Sequence, residues 1–106
     1  MGVRCILVAN ELTSYRQAIA IVFRELLPNV EVLEVDPGIL DWEVTRLSPA
    51  LVICSRLTAV VEERAANWIE LYPDCRPFST FCIDGERRAM EDVQLSDLLS
   101  VCARVL

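Results

Sequence analysis

The chain contains no histidine and no lysine. Without histidine there is no imidazole general base, no Ser-His or Cys-His couple and no imidazole metal ligand. Without lysine there is no Schiff-base amine and no phosphate-loop ammonium. Glycine is scarce, at three residues, and none follows the first apolar run, so a glycine-rich phosphate cradle is missing. No apolar run approaches the roughly 18 residues of a membrane span. The start of the chain lacks the layout of a signal peptide, because its apolar run is short and Glu11 follows almost at once. The chemistry left to the chain is that of carboxylates, cysteines, hydroxyls and arginines. These absences predict a chain that is not an enzyme, has no metal or cofactor, and does not enter a membrane.

What is present indicates one folded unit. The 106 residues are 54% hydrophobic, which excludes disorder and gives room for one core, so a single domain over residues 1–106 is expected. The formal charge is −6, with 16 acidic residues against ten basic ones, all arginine and scattered along the chain. An acidic surface without a basic patch repels a phosphate backbone, and nucleic-acid binding is not expected. The five cysteines, Cys5, Cys54, Cys75, Cys82 and Cys102, are odd in number and never in C-x-x-C spacing. Most fall in apolar patterns and read as small buried hydrophobes in a reducing cytoplasm. Cys75 lies in the loop-like Pro73-Asp-Cys-Arg-Pro77 stretch beside Arg76, the one place where a reactive thiol stands as an alternative to that reading.

Periodicity gives the elements. Arg4–Ala9 and Ala50–Cys54 are continuous apolar runs, as in strands covered on both faces. Val30–Val35 alternates like an edge strand. Apolar spacing from Ala18 to Leu27 predicts a helix capped by Thr13 or Ser14. Asp36-Pro37-Gly38 is a turn that opens a short helix through Leu47, with Ser48-Pro49 as its stop. Val60–Leu71 has helical spacing and Phe78–Ile83 is strand-like. Asp84-Gly85 is a type I′ hairpin signal, which predicts a return strand over Arg87–Glu91. A last helix starts near Ser96. Trp42 and Trp68 read as core anchors. The fold expected is α/β: a three-layer α/β/α sandwich on a mostly parallel sheet of order 2-1-3-4, with an antiparallel hairpin strand after strand four.

Ile6-Leu-Val-Ala-Asn-Glu11, Arg24-Glu-Leu-Leu-Pro-Asn-Val-Glu-Val32, Leu47-Ser-Pro-Ala-Leu-Val-Ile-Cys-Ser55 and Trp68-Ile-Glu-Leu-Tyr-Pro-Asp-Cys-Arg76 together resemble a response-regulator receiver, a flavodoxin-like domain. The likeness covers residues 4 to about 80. It implies that Trp68–Arg76 ends a third helix and that Thr80 lies near the switch hydroxyl. Three departures go together: Asn10 stands in the acidic pair, Ser55 at the phospho-acceptor position, and the lysine after strand five is missing. Aspartyl phosphorylation needs a carboxylate nucleophile, a bound Mg²⁺ and a cation on the phosphoryl oxygens. The resemblance therefore implies a non-phosphorylatable receiver-like protein, a protein-protein interaction or regulatory module in bacterial signalling. Its protein partner is unidentified, and a homodimer through the last hairpin and helix is one form of it.

A second reading comes from the strand ends. Loops after the first and third strands bring Asn10, Glu11, Ser55 and Arg56 to the crevice where such sheets bind ligands. An acid, an amide, a hydroxyl and a cation there suit a small ligand. A phosphocysteine carrier is disfavoured because Cys5 is at the start of its strand rather than after it.

Overall fold

The computed structural model describes residues 4–106. Strand β1 (Cys5–Ala9) is buried along its whole length. It is followed by α1 (Thr13–Leu26), β2 (Glu31–Glu34), a 3-10 turn at Pro37–Ile39, α2 (Leu40–Leu47) and β3 (Leu51–Cys54). Helix α3 (Ala59–Arg64) leads to β4 (Trp68–Glu70), and the hairpin β5 (Phe78–Ile83) and β6 (Glu86–Glu91) precedes α4 (Leu95–Val105). The strands form one six-stranded sheet of order β2-β1-β3-β4-β5-β6. Pairings among the first four are parallel; β4–β5 and β5–β6 are antiparallel.

Alternation along the central strands divides the core. Ile6, Val8, Leu51, Ile53 and Ile69 point to one face, where α1 brings Ile19, Ala20 and Phe23 and α4 brings Leu98 and Cys102. Cys5, Leu7, Ala9, Val52, Cys54 and Trp68 point to the other, under Leu40 and Val44 of α2 and Val61 of α3. A strand apolar on both faces needs such cover on both sides. On the α2–α3 side the cover stops at β4. Thr80 and Cys82 are only half-buried there and Phe78 is exposed, so the outer hairpin has helix cover on one face alone.

Two corrections concern the fourth strand. The helix expected over Val60–Leu71 ends at Arg64, and Trp68–Glu70 pairs with β3 instead. The Trp68–Arg76 segment is thus a strand and loop, not the end of a helix. Asn67 explains the break: its Nδ2 donates to the Ala50 carbonyl at 3.0 Å and its Oδ1 accepts from the Asp84 N–H at 2.9 Å. Those bonds pull the chain out of the helix and onto the sheet, where Trp68 and Ile69 are buried on opposite faces. The Phe78–Ile83 strand forms where expected but is fifth in the chain and antiparallel.

Other details also differ from the sequence expectation. Helix α1 takes no side-chain cap from Thr13 or Ser14; Leu12 is its N-cap residue. Trp42 is 65% exposed rather than a core anchor, with the Arg46 guanidinium over its ring. Val105 and Leu106 pack against the chain's own core. The hairpin turn matches its signal, with Asp84 and Gly85 both at positive φ, 54° and 81°. Asp36 caps its turn by accepting from the Gly38 N–H.

Phe23 has no exposed surface, whereas Ile21, on the same helix, is 57% exposed. Phe23→Ala is expected to cost about 3–5 kcal/mol, and Ile21→Ala less than about 0.5 kcal/mol, both read from urea unfolding midpoints.

Candidate functional site

Strands β1 and β3 are neighbours and end together, with Ala9 opposite Cys54. The chain leaves β1 towards α1 on one face of the sheet and leaves β3 towards α3 on the other. Neighbouring strands whose connections part in this way open a crevice at their carboxyl ends. Here it is a cavity of about 570 Å³, a size typical of small-molecule sites.

Asn10, Glu11 and Ser55 line this cavity together. The Glu11 N–H donates to Ser55 Oγ at 2.8 Å, which ties the two loops to each other. The Asn10 carbonyl accepts from Arg16 Nη1 at 3.1 Å, which ties the first loop to α1. The Asn10 side chain is different. It is 3% exposed, and its Oδ1 is the one buried side-chain polar atom among the described residues without a hydrogen-bond partner. A buried acceptor left without a donor costs about 1–3 kcal/mol.

Arg56 does not line this cavity. It borders a smaller hollow of about 240 Å³ that shares Glu11 and Ser55 with the crevice and is closed by Pro37, Gly38 and Thr58. Its Nη2 is 3.7 Å from Glu11 Oε1, and both side chains are more than half exposed, so the pair is weak. Thr80 lies in β5 opposite Glu70 and Ala89 and does not line the crevice.

The remaining walls come from segments that the sequence reading did not connect with the site. Leu12 and Tyr15 belong to the start of α1; Leu71, Tyr72 and Pro77 flank the loop between β4 and β5. Tyr72 is held at both ends: its N–H donates to the buried Ser79 Oγ at 2.9 Å, and its hydroxyl donates to the Val93 carbonyl. Its ring lies 6.3 Å from that of Tyr15, tilted by 33°. Burial pushes the Tyr72 phenol above its ordinary pKa, helped by Tyr15, Asp92 and Asp97, so it stays a neutral donor. Four crevice residues, Tyr72, Asp74, Cys75 and Asp92, have left-handed backbone conformations, at φ 48–58°. For a tyrosine and a cysteine this is unusual, and such strain concentrates at binding sites. The one sequence clue is the loop-like two-proline stretch Pro73–Pro77 that carries Cys75.

Three carboxylates, of Glu11, Asp74 and Asp92, line the crevice against one guanidinium, that of Arg76. Arg76 places its charge 6.0 Å from the ring centre of Phe78, which is not a lining residue. Among the described residues no group of three or more histidine, cysteine, aspartate or glutamate side chains is arranged to hold a metal ion. No helix there is long and apolar enough to cross a membrane. The chain matches no protein-family model, no curated protein and no solved structure.

Cys75 is the exposed thiol, and it lines the crevice. Burial pushes the Cys54 thiol up to about 12, with the Glu70 carboxylate adding to it, and pushes Cys102 up to about 11. Cys5 is raised by burial and then by Glu31. Iodoacetamide followed by mass spectrometry is expected to label Cys75 first in the folded protein, with Cys54 and Cys102 labelled only on unfolding. The same cause sets an alkaline limit. Above about pH 9 the unfolded chain sheds thiol protons that the folded chain keeps, up to about pH 12 for Cys54. Stability present below that window should therefore fall as pH rises through it, as urea midpoints at successive pH values would reveal.

Proposed function

We propose that this chain is a non-catalytic binding domain whose crevice at the ends of β1 and β3 takes a small ligand. The observation that carries the reading is that Asn10, a buried residue in the lining of a cavity large enough for a small molecule, has a side-chain Oδ1 without a hydrogen-bond partner. The position supports it too, since this is where sheets wound in opposite senses bind their ligands. Glu11 and Ser55 supply polar groups on the same wall, and Arg56 serves the adjoining hollow. The frame is receiver-like. The parallel order β2-β1-β3 supports the 2-1-3 part of the expected winding, with Trp68–Glu70 rather than Phe78–Ile83 in the fourth place, and helices on both faces support the three-layer arrangement. With Asn10 and Ser55 at the positions of the family's acid and phospho-acceptor, the domain regulates by binding rather than by phosphorylation. Five free thiols suit a reducing cytoplasm.

A protein-observed NMR screen of the full chain against a fragment library tests the site. Shifts should gather on Glu11, Ser55, Cys75 and Asp92. Shifts scattered over the surface, or none at all, would sink the ligand reading.

The open edge of β6 favours a second reading, a receiver-like interaction module that meets a protein partner or a second copy of itself. This six-residue strand ends the sheet and is exposed over nearly its whole length. An unpaired edge of this kind can accept another strand. In the antiparallel ladder that follows a two-residue turn, Ala89 directs its N–H outward. Light scattering is expected to show concentration-dependent dimers that Ala89→Pro removes. A strictly monomeric protein at every concentration would count against the dimer.

A further inference from the structure

We propose that the crevice recognises a planar cation: a flat conjugated or aromatic group bearing an amidinium- or guanidinium-type head. The proposal rests on the reading of the crevice as the working site and names the class of its ligand.

Asn10 sets the first requirement. Its Oδ1 is an acceptor only, is cut off from solvent, and has no donor in the protein. A ligand that reaches it, with the Asn10 side chain turned toward the cavity the residue lines, must bring an N–H or O–H. A carboxylate or a phosphate dianion has none, and would set oxygen against oxygen.

Charge sets the second requirement. Among the described residues, neither Asp74 nor Asp92 takes part in an ion pair, and Glu11 has only the loose contact with Arg56 at 3.7 Å. Two features pull the other way. The first turn of α1 has no side-chain cap and contains no acidic residue, so its N–H groups favour negative charge. Arg16 is also close, but its guanidinium already donates to the Asn10 carbonyl. A helix start is worth about half a charge, against three carboxylates with one lining arginine directed at Phe78. The balance is negative, in a chain whose formal net charge is −6.

Shape sets the third requirement. The Tyr15 and Tyr72 rings, 6.3 Å apart and tilted by 33°, offer aromatic surface to a flat group beside the apolar Leu71. A cation over a tyrosine face gains attraction that an anion lacks. Because Tyr72 is fixed by Ser79 and Val93, its wall is preorganised.

Three probes of one shape separate the requirements: benzamidine, a cation with donors; benzamide, neutral with donors; and benzoate, an anion without them. NMR titration of the full chain should give saturable shifts at Asn10, Tyr72 and Cys75 with benzamidine. Benzamide should bind at least tenfold more weakly, and benzoate should leave these signals unmoved. Asn10→Leu should weaken benzamidine at least tenfold while melting no lower than the parent, because it removes a buried acceptor that has no partner. If that variant does not fold, Tyr15→Ala at a half-exposed position removes one ring and should weaken benzamidine several-fold. Asp92→Asn should weaken benzamidine and spare benzamide. Benzoate bound at the crevice as tightly as benzamidine overturns the cation assignment and leaves the crevice as a binding site. Silence from all three probes overturns both.

Discussion

The arrangement follows from the need to cover two strands on both faces at once. β1 and β3 are apolar at every position and fully buried, so neither can lie at an edge or face water. Each needs strands beside it and helices above and below. The chain meets this by sending α1 to one face and α3 to the other directly after these strands. The same step that buries the strands separates the loops that follow them. The crevice is therefore a consequence of how the core is closed, and it would open here whatever residues lined it. What makes it a candidate site is that one lining residue, Asn10, presents a polar atom that the core does not satisfy.

The far half of the sheet obeys a different constraint. A parallel partner for β4 would need another helical crossover. The chain instead turns within the loop after Leu71 and returns as β5, antiparallel to β4. Two buried polar side chains hold that choice in place. Asn67 bridges the start of β3 to the hairpin turn, and Ser79 accepts from the backbone of Tyr72. The loop they define is compact enough to force Tyr72, Asp74 and Cys75 into left-handed conformations. Its tyrosine then stands opposite Tyr15 and completes the crevice wall. The hairpin and the crevice are thus coupled, since the bond that seats β5 against the loop also fixes a tyrosine that lines the crevice.

Absent residue types shape what the site can do. With neither histidine nor lysine in the chain, the crevice offers carboxylates, tyrosines, an amide, a serine hydroxyl, a thiol and one guanidinium. Such a set is suited to holding a molecule by charge, stacking and hydrogen bonds. The buried thiols add nothing to this set: desolvation keeps Cys54 and Cys102 protonated, and they act as small core residues.

How much of this was legible in the sequence depended on how local each cause was. Continuous apolar runs marked β1 and β3, and Asp84-Gly85 marked the hairpin, because burial on two faces and positive φ leave a direct trace in residue type. Asn10, Glu11 and Ser55 were found because they follow those runs by one or two residues. The sequence did not reveal that Trp68–Glu70 would leave a helical pattern for the sheet, since the bonds of Asn67 run to Ala50 and Asp84, 17 residues away on either side. Nor did it reveal that Tyr72, Cys75 and Asp92 would meet Asn10, or that Arg56 would turn into a separate hollow. Residue spacing sets periodicity and turn chemistry. Only the pairing of distant strands decided which loops share a wall, which carboxylates face each other, and which polar atom is left without a partner.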